Sequence, residues 1–128
     1  MTTLLTIQSS LAGDASESSR LAARYAEQWL ARHPGARVLT RDLARNPVPH
    51  LTAERFAAFA ASPEERTPAQ RAIVGESDEL IGELQAADVV VLAVPMHNFS
   101  VPSTLRAYFD HVARAGVTFR YTATGPEG

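Results

Sequence analysis

The sequence predicts an α/β sandwich of three layers, in which a parallel sheet lies between two layers of helices. Residues 89–94 (Val-Val-Val-Leu-Ala-Val) form an apolar run without alternation, as in strands that are covered on both faces. Strand-like and helix-like patterns follow one another in the order strand, helix, strand, helix, helix, strand, helix, which is typical of right-handed crossovers. A length of 128 residues fits a single domain, residues 1–128.

The first half of the chain supplies two strands and one helix. Residues 4–7 and 38–40 are short apolar segments, and we expect a strand at each. Between them, apolar residues recur at helical spacing, which predicts a helix that starts near residue 16 and stops at the His-Pro-Gly of residues 33–35. The predicted buried stripe of this helix is Ala22, Tyr25, Ala26 and Trp29.

The second half supplies three helices and the third strand. Thr52 opens a short helix through Phe59, and Thr67-Pro68-Ala69-Gln70 has the spacing of a capping box at the start of a long helix. Pro95 ends the third strand because proline has no N–H for the ladder. The last helix ends at Gly116, and its predicted stripe is Leu105, Tyr108, Phe109 and Val112.

Three parallel strands make an incomplete sheet. The apolar strand at residues 88–94 would be an unprotected edge if no strand paired beyond it. We therefore expect this strand to be central in a longer sheet and the chain to be truncated before a fourth and a fifth strand. Residues 122–128 are predicted to be a loop.

Composition excludes several classes of function. The net charge is −2 and the 12 basic residues, all arginine, are scattered, so we predict no nucleic-acid partner. Without lysine there is no P-loop lysine and no Schiff-base chemistry. Cysteine is absent and no apolar run spans a bilayer, so we expect no membrane association and a cytoplasmic location. The four histidines lack metal-ligand spacing, and no metal site is predicted.

A serine-rich loop follows the first strand. It contains Ser9 and Ser10, and Ser16 and Ser18 stand where the first helix starts. Free N–H groups at a helix start, together with small hydroxyl residues, suit a phosphate group. The alternative is ordinary N-capping by Ser16 or Ser18. The spacing matches neither the dinucleotide fingerprint nor the P-loop.

A second loop, residues 95–99 (Pro-Met-His-Asn-Phe), follows the third strand. In a 2-1-3 strand order the first and third strands are neighbours, so both loops open on one crevice. Backbone groups, the Asn98 amide and apolar side chains suit a flat polar heterocycle such as a flavin. The alternative is a simple connection in which Met96 and Phe99 fill the core.

A hydrolase triad is disfavoured. Asp110 and His111 are adjacent, but the chain has no G-x-S-x-G elbow. The stripe of the last helix places both residues near its exposed side.

Together these segments resemble a known family. The two loops, residues 113–121 (Ala-Arg-Ala-Gly-Val-Thr-Phe-Arg-Tyr) and residues 125–128 (Gly-Pro-Glu-Gly) are similar to the FMN-dependent NADH:quinone oxidoreductases and azoreductases, which have a flavodoxin-like fold. The resemblance is colinear over all 128 residues. It implies one noncovalent FMN per subunit, with Ser10, Ser16, Glu17 and Ser18 at the phosphate and ribityl end.

The resemblance also assigns the ring and substrate contacts. Met96, His97, Asn98 and Phe99 would hold the isoalloxazine ring, and Asn98 and Tyr121 would face the nicotinamide or the acceptor. The implied reaction takes a hydride from NADH and passes two electrons to a quinone or an azo compound in a ping-pong cycle, at a homodimer interface. The flavin carries this chemistry, so no side chain is nominated as a catalytic acid or base.

This chain departs from the family in two places. Residue 97, often tyrosine in relatives, is histidine here, which would tune acceptor preference or pH dependence. The family continues through two further strands, with a Ser-Arg-Gly-Gly-type loop that also contacts the flavin. Two alternatives therefore stay open, namely an FMN electron carrier without its own NADH site and an inactive truncated fragment.

Overall fold

The computed structural model describes residues 2–128. It contains a parallel sheet, four α-helices and a small antiparallel hairpin, with short 3₁₀ turns at Gly13–Ala15 and Pro63–Glu65. The elements, in chain order, are β1 (Thr3–Gln8), α1 (Glu17–Arg32), β2 (Arg37–Asp42), α2 (Ala53–Ala60), α3 (Pro68–Ala86), β3 (Val89–Ala93), α4 (Ser103–Val112), β4 (Arg120–Thr122) and β5 (Gly125–Glu127).

The parallel sheet has the predicted order β2-β1-β3. In its register, Leu5 of β1 lies between Leu39 of β2 and Val90 of β3. Side chains alternate between the two faces of β1, so Leu4 packs with Trp29 of α1 while Leu5 packs with residues of α3 and α4. The three layers of the sequence-based prediction are therefore confirmed.

Helix α1 buries the predicted stripe except at one position. Ala22, Ala26 and Trp29 are buried, but Tyr25 is 47% exposed, so its assignment to the core is wrong. Tyr25 borders an open cavity beside the outer edge of β3. The ring has no covering layer there among residues 2–128.

Helix α3 begins with the capping box that the sequence predicts. Thr67 Oγ1 accepts a hydrogen bond from the Gln70 backbone N–H at 3.2 Å, and Gln70 Oε1 accepts one from the Thr67 N–H at 3.0 Å. Pro68 occupies the first helical position, where its missing N–H costs nothing. The start of α3 is thus determined by local sequence.

Helix α4 differs from the prediction in three ways. It ends at Val112 rather than at Gly116. Leu105, Tyr108 and Val112 are buried, whereas Phe109 is 36% exposed. His111 was predicted near the exposed side, and this is wrong, because its side chain is fully buried between α3 and the ring of Phe59.

Strand β3 is not covered on both faces within residues 2–128. Val89 and Val91 pack toward α1, but Val90 and Leu92 are 42% and 46% exposed. The reason is that β3 pairs with β1 on one side only in this sheet. The predicted central position of this strand is not realised in the described residues.

The carboxyl-terminal residues form a hairpin, where the sequence-based interpretation placed a loop. Strands β4 and β5 pair Arg120 with Glu127 and Thr122 with Gly125. The connecting residues, Ala123 and Thr124, lack the Asn-Gly type of signal that marks such turns. Gly125 has φ 123°, a conformation that residues with a side chain rarely adopt.

A buried arginine holds the segment between α4 and the hairpin against α3. Arg114 is 7% exposed, and its Nη1 donates to Asp78 Oδ1 at 2.5 Å and to Ser77 Oγ at 3.1 Å. The guanidinium carbon lies 5.1 Å from the centre of the Phe59 ring, within cation–π range. We call Arg114, Asp78, Ser77 and Phe59 the arginine clamp.

Burial and, to a smaller extent, the nearby Glu83 carboxylate together raise the pKa of Tyr108 to about 12, and Arg41 opposes the shift. Its hydroxyl has no hydrogen-bond partner among residues 2–128. Because the folded protein holds this proton more tightly than the unfolded chain, the contribution of Tyr108 to stability is complete below pH 10 and is lost as the pH rises toward 12.

We predict that Tyr108→Phe removes this alkaline loss. The variant should keep roughly 2 kcal/mol more of its free energy of unfolding than the wild type between pH 10 and 12. At pH 7 it should be at least as stable, since an unpaired buried hydroxyl is removed. Urea unfolding at a series of pH values measures both effects. Tyr25→Phe, at an exposed ring, is the control, and an equal change in both variants would contradict the prediction.

Candidate functional site

The carboxyl ends of β1 and β3 are joined by a buried hydrogen bond. Ser9, which follows β1, is fully buried, and its Oγ donates to the backbone oxygen of Ala93 at 2.9 Å. Since β1 and β3 are parallel neighbours, the loops that follow them leave the sheet at the same edge. Both loops therefore start at the same edge of the sheet, as the 2-1-3 strand order predicts.

The β1–α1 loop leaves the start of α1 without a side-chain cap. Ser16 is the N-cap residue, but its Oγ bonds to Ser18 Oγ at 2.8 Å rather than to a backbone N–H of the helix. The alternative interpretation, capping by Ser16 or Ser18, is thus wrong. The free N–H groups of the first turn and the helix dipole form a site that favours an oxyanion.

Two other residues of this loop have limited side-chain roles. Ser10 is buried, and its Oγ accepts from the Ala12 N–H at 3.2 Å, which shapes the loop. Glu17 is exposed and pairs with Arg20 at 2.9 Å. Such an exposed pair stabilises little. The Glu17 backbone N–H is in the first turn of α1, which has no side-chain cap.

The β3–α4 loop contains a strained turn. The His97 N–H donates to Ser100 O at 2.9 Å, and the Ser100 N–H donates to His97 O at 3.0 Å. The two central residues, Asn98 and Phe99, have φ of 50° and 64°, as in a type I′ turn. Asparagine tolerates this region, but for phenylalanine it costs about 1 kcal/mol or more.

The apolar side chains of this turn point away from the core. Phe99 is 94% exposed and Met96 is 72% exposed, so the alternative in which both fill the core is wrong. A strained and exposed aromatic residue does not stabilise the fold. Such residues concentrate at ligand-binding sites, where surrounding structure holds them in place.

A cavity of 710 Å³, which we call the loop cavity, lies between the two loops and runs along α4. Of the predicted site residues, His97 and Asn98 line it. The others predicted for the two loops do not, namely Ser10, Ser16, Glu17, Ser18, Met96 and Phe99. The other walls of the loop cavity include residues that sequence reasoning missed, namely Leu11, His50, Thr104, Arg106 and Asp110. Among these five residues, only Arg106 and Asp110 have a signal in the sequence. Their i, i+4 spacing places them on one face of α4, and their side chains pair at 3.4 Å.

Tyr121 lies in a neighbouring cavity. It belongs to β4, is 74% exposed and makes an edge-to-face contact with Phe119 at 5.3 Å between ring centres. This second cavity, of 480 Å³, is also lined by Phe56 and Phe59. Asp110 borders both cavities, so Asn98 and Tyr121 occupy adjacent sites rather than one.

His111 and Asp110 form no hydrolase site. His111 is fully buried, and its Nδ1 lies 2.9 Å from Ala107 O, whereas Asp110 pairs with Arg106. Ser77 Oγ contacts the backbone oxygen of His111 and not its ring. Within residues 2–128, no group of three acidic or histidine side chains could hold a metal ion, and no helix is long and apolar enough to cross a membrane.

The sheet order and the two loops at its edge define a flavodoxin-like protein. A family model described as "Flavodoxin-like fold" matches residues 2–128, and the chain belongs to that family.

Two curated relatives match the whole chain. The chain is 54% identical over 128 residues to the FMN-dependent NADH:quinone oxidoreductase of Marinomonas sp. (strain MWYL1) and 55% identical to the protein of the same name from Cellvibrio japonicus (strain Ueda107). It spans 65% and 64% of these relatives, respectively.

Two solved structures have the same fold over the whole chain. An azoreductase from Bacillus anthracis str. Sterne superposes with a TM-score of 0.88 at 26% identity. An FMN-dependent NADH-azoreductase from Bacillus anthracis str. Ames Ancestor, in complex with FMN, gives a TM-score of 0.87 at 25% identity. The chain covers 63% of each of these structures.

We predict that Phe99 is dispensable for stability. Phe99→Gly should leave the free energy of unfolding unchanged or raise it by up to about 1 kcal/mol, because glycine adopts positive φ without strain and no packing is lost. Phe99→Val, with a branched side chain at the same φ, should lower it by about 1 kcal/mol. Urea unfolding of both variants measures these changes. A loss of stability in Phe99→Gly would show that the ring packs against the fold.

Proposed function

We propose that this protein is an FMN-dependent oxidoreductase that passes electrons from NADH to quinones and azo compounds. The observation that carries the proposal is that two features lie at the same edge of the sheet. One is the uncapped start of α1, and the other is the strained turn with the exposed Phe99. The names of the relatives and of the FMN-bound structural neighbour support it.

The β1–α1 loop would hold the phosphate and ribityl end of FMN. Ser16 and Ser18 have hydroxyl groups that bond only to each other, and both can rotate toward a phosphate oxygen. The N–H groups of the first turn of α1, including that of Glu17, lack a side-chain acceptor. Ser10 shapes the loop so that its backbone approaches the same point.

The turn after β3 would hold the isoalloxazine ring. Met96 and Phe99 offer exposed apolar surface, and the Asn98 amide offers a donor and an acceptor to the polar edge of the ring. The backbone N–H of His97 already bonds to Ser100, so His97 contributes through its side chain.

When held by these two loops, FMN would supply the hydride and two-electron transfer chemistry of the proposed ping-pong cycle between NADH and the acceptor. The residues of this chain bind and orient the reactants. Asn98 and Tyr121, in adjacent cavities, would face the nicotinamide or the acceptor. No side chain is required to act as a general acid or base.

We also propose a homodimer in the cytoplasm. Large apolar side chains are exposed at the cavity that contains Tyr121, namely Phe56 and Tyr121, and Phe99 is exposed in the turn after β3. Burying such side chains against a second copy is favourable, at about 25 cal/mol for each Å² of apolar surface. A dimer would also close cavities that are open on one side.

The proposal predicts selective binding of FMN over riboflavin, which lacks the phosphate. FMN should bind at least about 10-fold more tightly, because the phosphate contacts the start of α1. Ser18→Glu, which places a carboxylate at the same point, should weaken FMN binding about 10-fold and change riboflavin binding little. Flavin fluorescence titration gives these affinities, and anaerobic NADH should then bleach the bound flavin.

Ser62→Glu is the matched control, since Ser62 is exposed at the start of a short 3₁₀ turn away from the crevice. It should bind FMN as the wild type does. Equal affinity for FMN and riboflavin, or bound flavin that NADH does not reduce, would refute the proposed function.

A further inference from the structure

The cavity that contains Tyr121 has aromatic walls from two separate parts of the chain. Phe59 belongs to α2, whereas Phe119 and Tyr121 belong to the segment after α4, and all three line this cavity of 480 Å³. Aromatic side chains pack well against a flat ring that stacks on them or meets their edges. The gap that such a ring can enter depends on how the two parts of the chain are held relative to each other.

The side chain of Arg114 fixes the first wall. Its guanidinium carbon lies 5.1 Å from the centre of the Phe59 ring, and the imidazole of His111 meets the same ring edge to face, with 5.9 Å between ring centres. Both Arg114 and His111 are buried. The Phe59 ring is therefore held by two buried groups, of which only Arg114 also lines the cavity.

The backbone of Arg114 fixes the second wall. Its N–H donates to Thr118 Oγ1 at 2.9 Å, and its oxygen accepts from the Thr118 N–H at 3.0 Å. In the turn that these bonds close, the Gly116 N–H donates to Phe119 O at 2.7 Å. Phe119 in turn meets Tyr121 edge to face, with 5.3 Å between ring centres. Consecutive contacts thus link Arg114 to Tyr121.

The bonds of the Arg114 guanidinium to α3 favour orientation over net stability. Its Nη1 donates to Ser77 Oγ at 3.1 Å and to Asp78 Oδ1 at 2.5 Å, but the Asp78 side chain is 59% exposed. Removing a guanidinium from water is costly, and attraction to a partly solvated carboxylate offsets that cost only in part. What these bonds do supply is a single direction for the guanidinium, beside the Phe59 ring.

We propose that Arg114 is a positioning residue for the electron acceptor. It sets the spacing between Phe59 and the pair of Phe119 and Tyr121, and the quinone ring binds in that gap. The inference rests on the proposed function and deepens it, because it names the residue that shapes the acceptor site at Tyr121. Arg114 acts through these aromatic side chains and takes no part in electron transfer.

The test uses Thr118→Val and Ser77→Ala. Each substitution removes a hydrogen bond of Arg114, and neither residue lines the cavity. In the FMN-loaded protein, with NADH as donor, the KM for duroquinone should rise about 5-fold or more while kcat changes less than about 2-fold. A loss of folded protein alone would lower the apparent kcat and leave KM unchanged. An unchanged KM in both variants would overturn the inference.

Combination with Tyr121→Ala shows whether the effect passes through Tyr121. Tyr121→Ala alone should also raise the KM for duroquinone, because it removes part of one aromatic wall. Thr118→Val should then raise the KM by less than about 2-fold further, since two changes in one series of contacts are not additive. Independent effects that multiply in the double variant would contradict the proposed role of Arg114.

Thr40→Val is the matched control. Thr40 lies in β2, and its hydroxyl bonds to Thr6 Oγ1 at 3.1 Å within the sheet. The substitution removes a threonine hydroxyl bond away from the cavity, so the KM for duroquinone should stay at the wild-type value. A rise as large as in Thr118→Val would count against the inference.

Amide hydrogen exchange gives a readout without turnover. In the FMN-loaded protein without acceptor, the Gly116 N–H should exchange at least about 5-fold faster in Thr118→Val and Ser77→Ala than in the wild type, whereas amides of β1 should keep the wild-type rate. Equal acceleration in β1 would indicate general destabilisation and refute the inference. Flavin reduction by NADH, measured in the same samples, reports on the proposed function. If NADH reduces the flavin and the KM for duroquinone does not change, only the role of Arg114 fails.

Discussion

The parallel pairing of β1 with β3 is the interaction on which the rest of the structure depends. It brings together two segments more than 80 residues apart, and the buried bond from Ser9 to Ala93 holds them where the strands end. Both loops then leave the sheet at one edge. Within the paired β1, Leu4 and Leu5 point to opposite faces of the sheet, which organises the two helix layers.

Much of this fold follows from local sequence signals. The capping box at Thr67 specifies the start of α3 without reference to the rest of the chain. The helical spacing of Ala22, Ala26 and Trp29 does the same for the buried face of α1. Periodicity is less informative about the flanks of a buried stripe. Tyr25 and His111 lie on such flanks. Tyr25 is exposed because no layer covers it beside β3 within residues 2–128, whereas His111 is buried against α3 and the Phe59 ring.

The β4–β5 hairpin and the turn at Asn98 and Phe99 have weaker signals in the sequence than these helices do. Ala123 and Thr124 are unusual residues for a two-residue turn, and Phe99 is an unfavourable residue at positive φ. The two loops of the site were predictable because strand ends and a helix start mark them in the sequence. Leu11, His50 and Thr104 were not, since their approach depends on how α4 and the loop after β2 pack in three dimensions.

The arginine clamp links two parts of the protein that differ in role. Arg114 joins α3, through Asp78, to the segment that leads into β4, and its ring partner Phe59 lines the cavity that contains Tyr121. The clamp therefore connects α3 to the wall of the cavity that contains Tyr121. A substitution of Asp78, on the outer surface of α3, would therefore remove a hydrogen bond of Arg114 and alter the wall of that cavity.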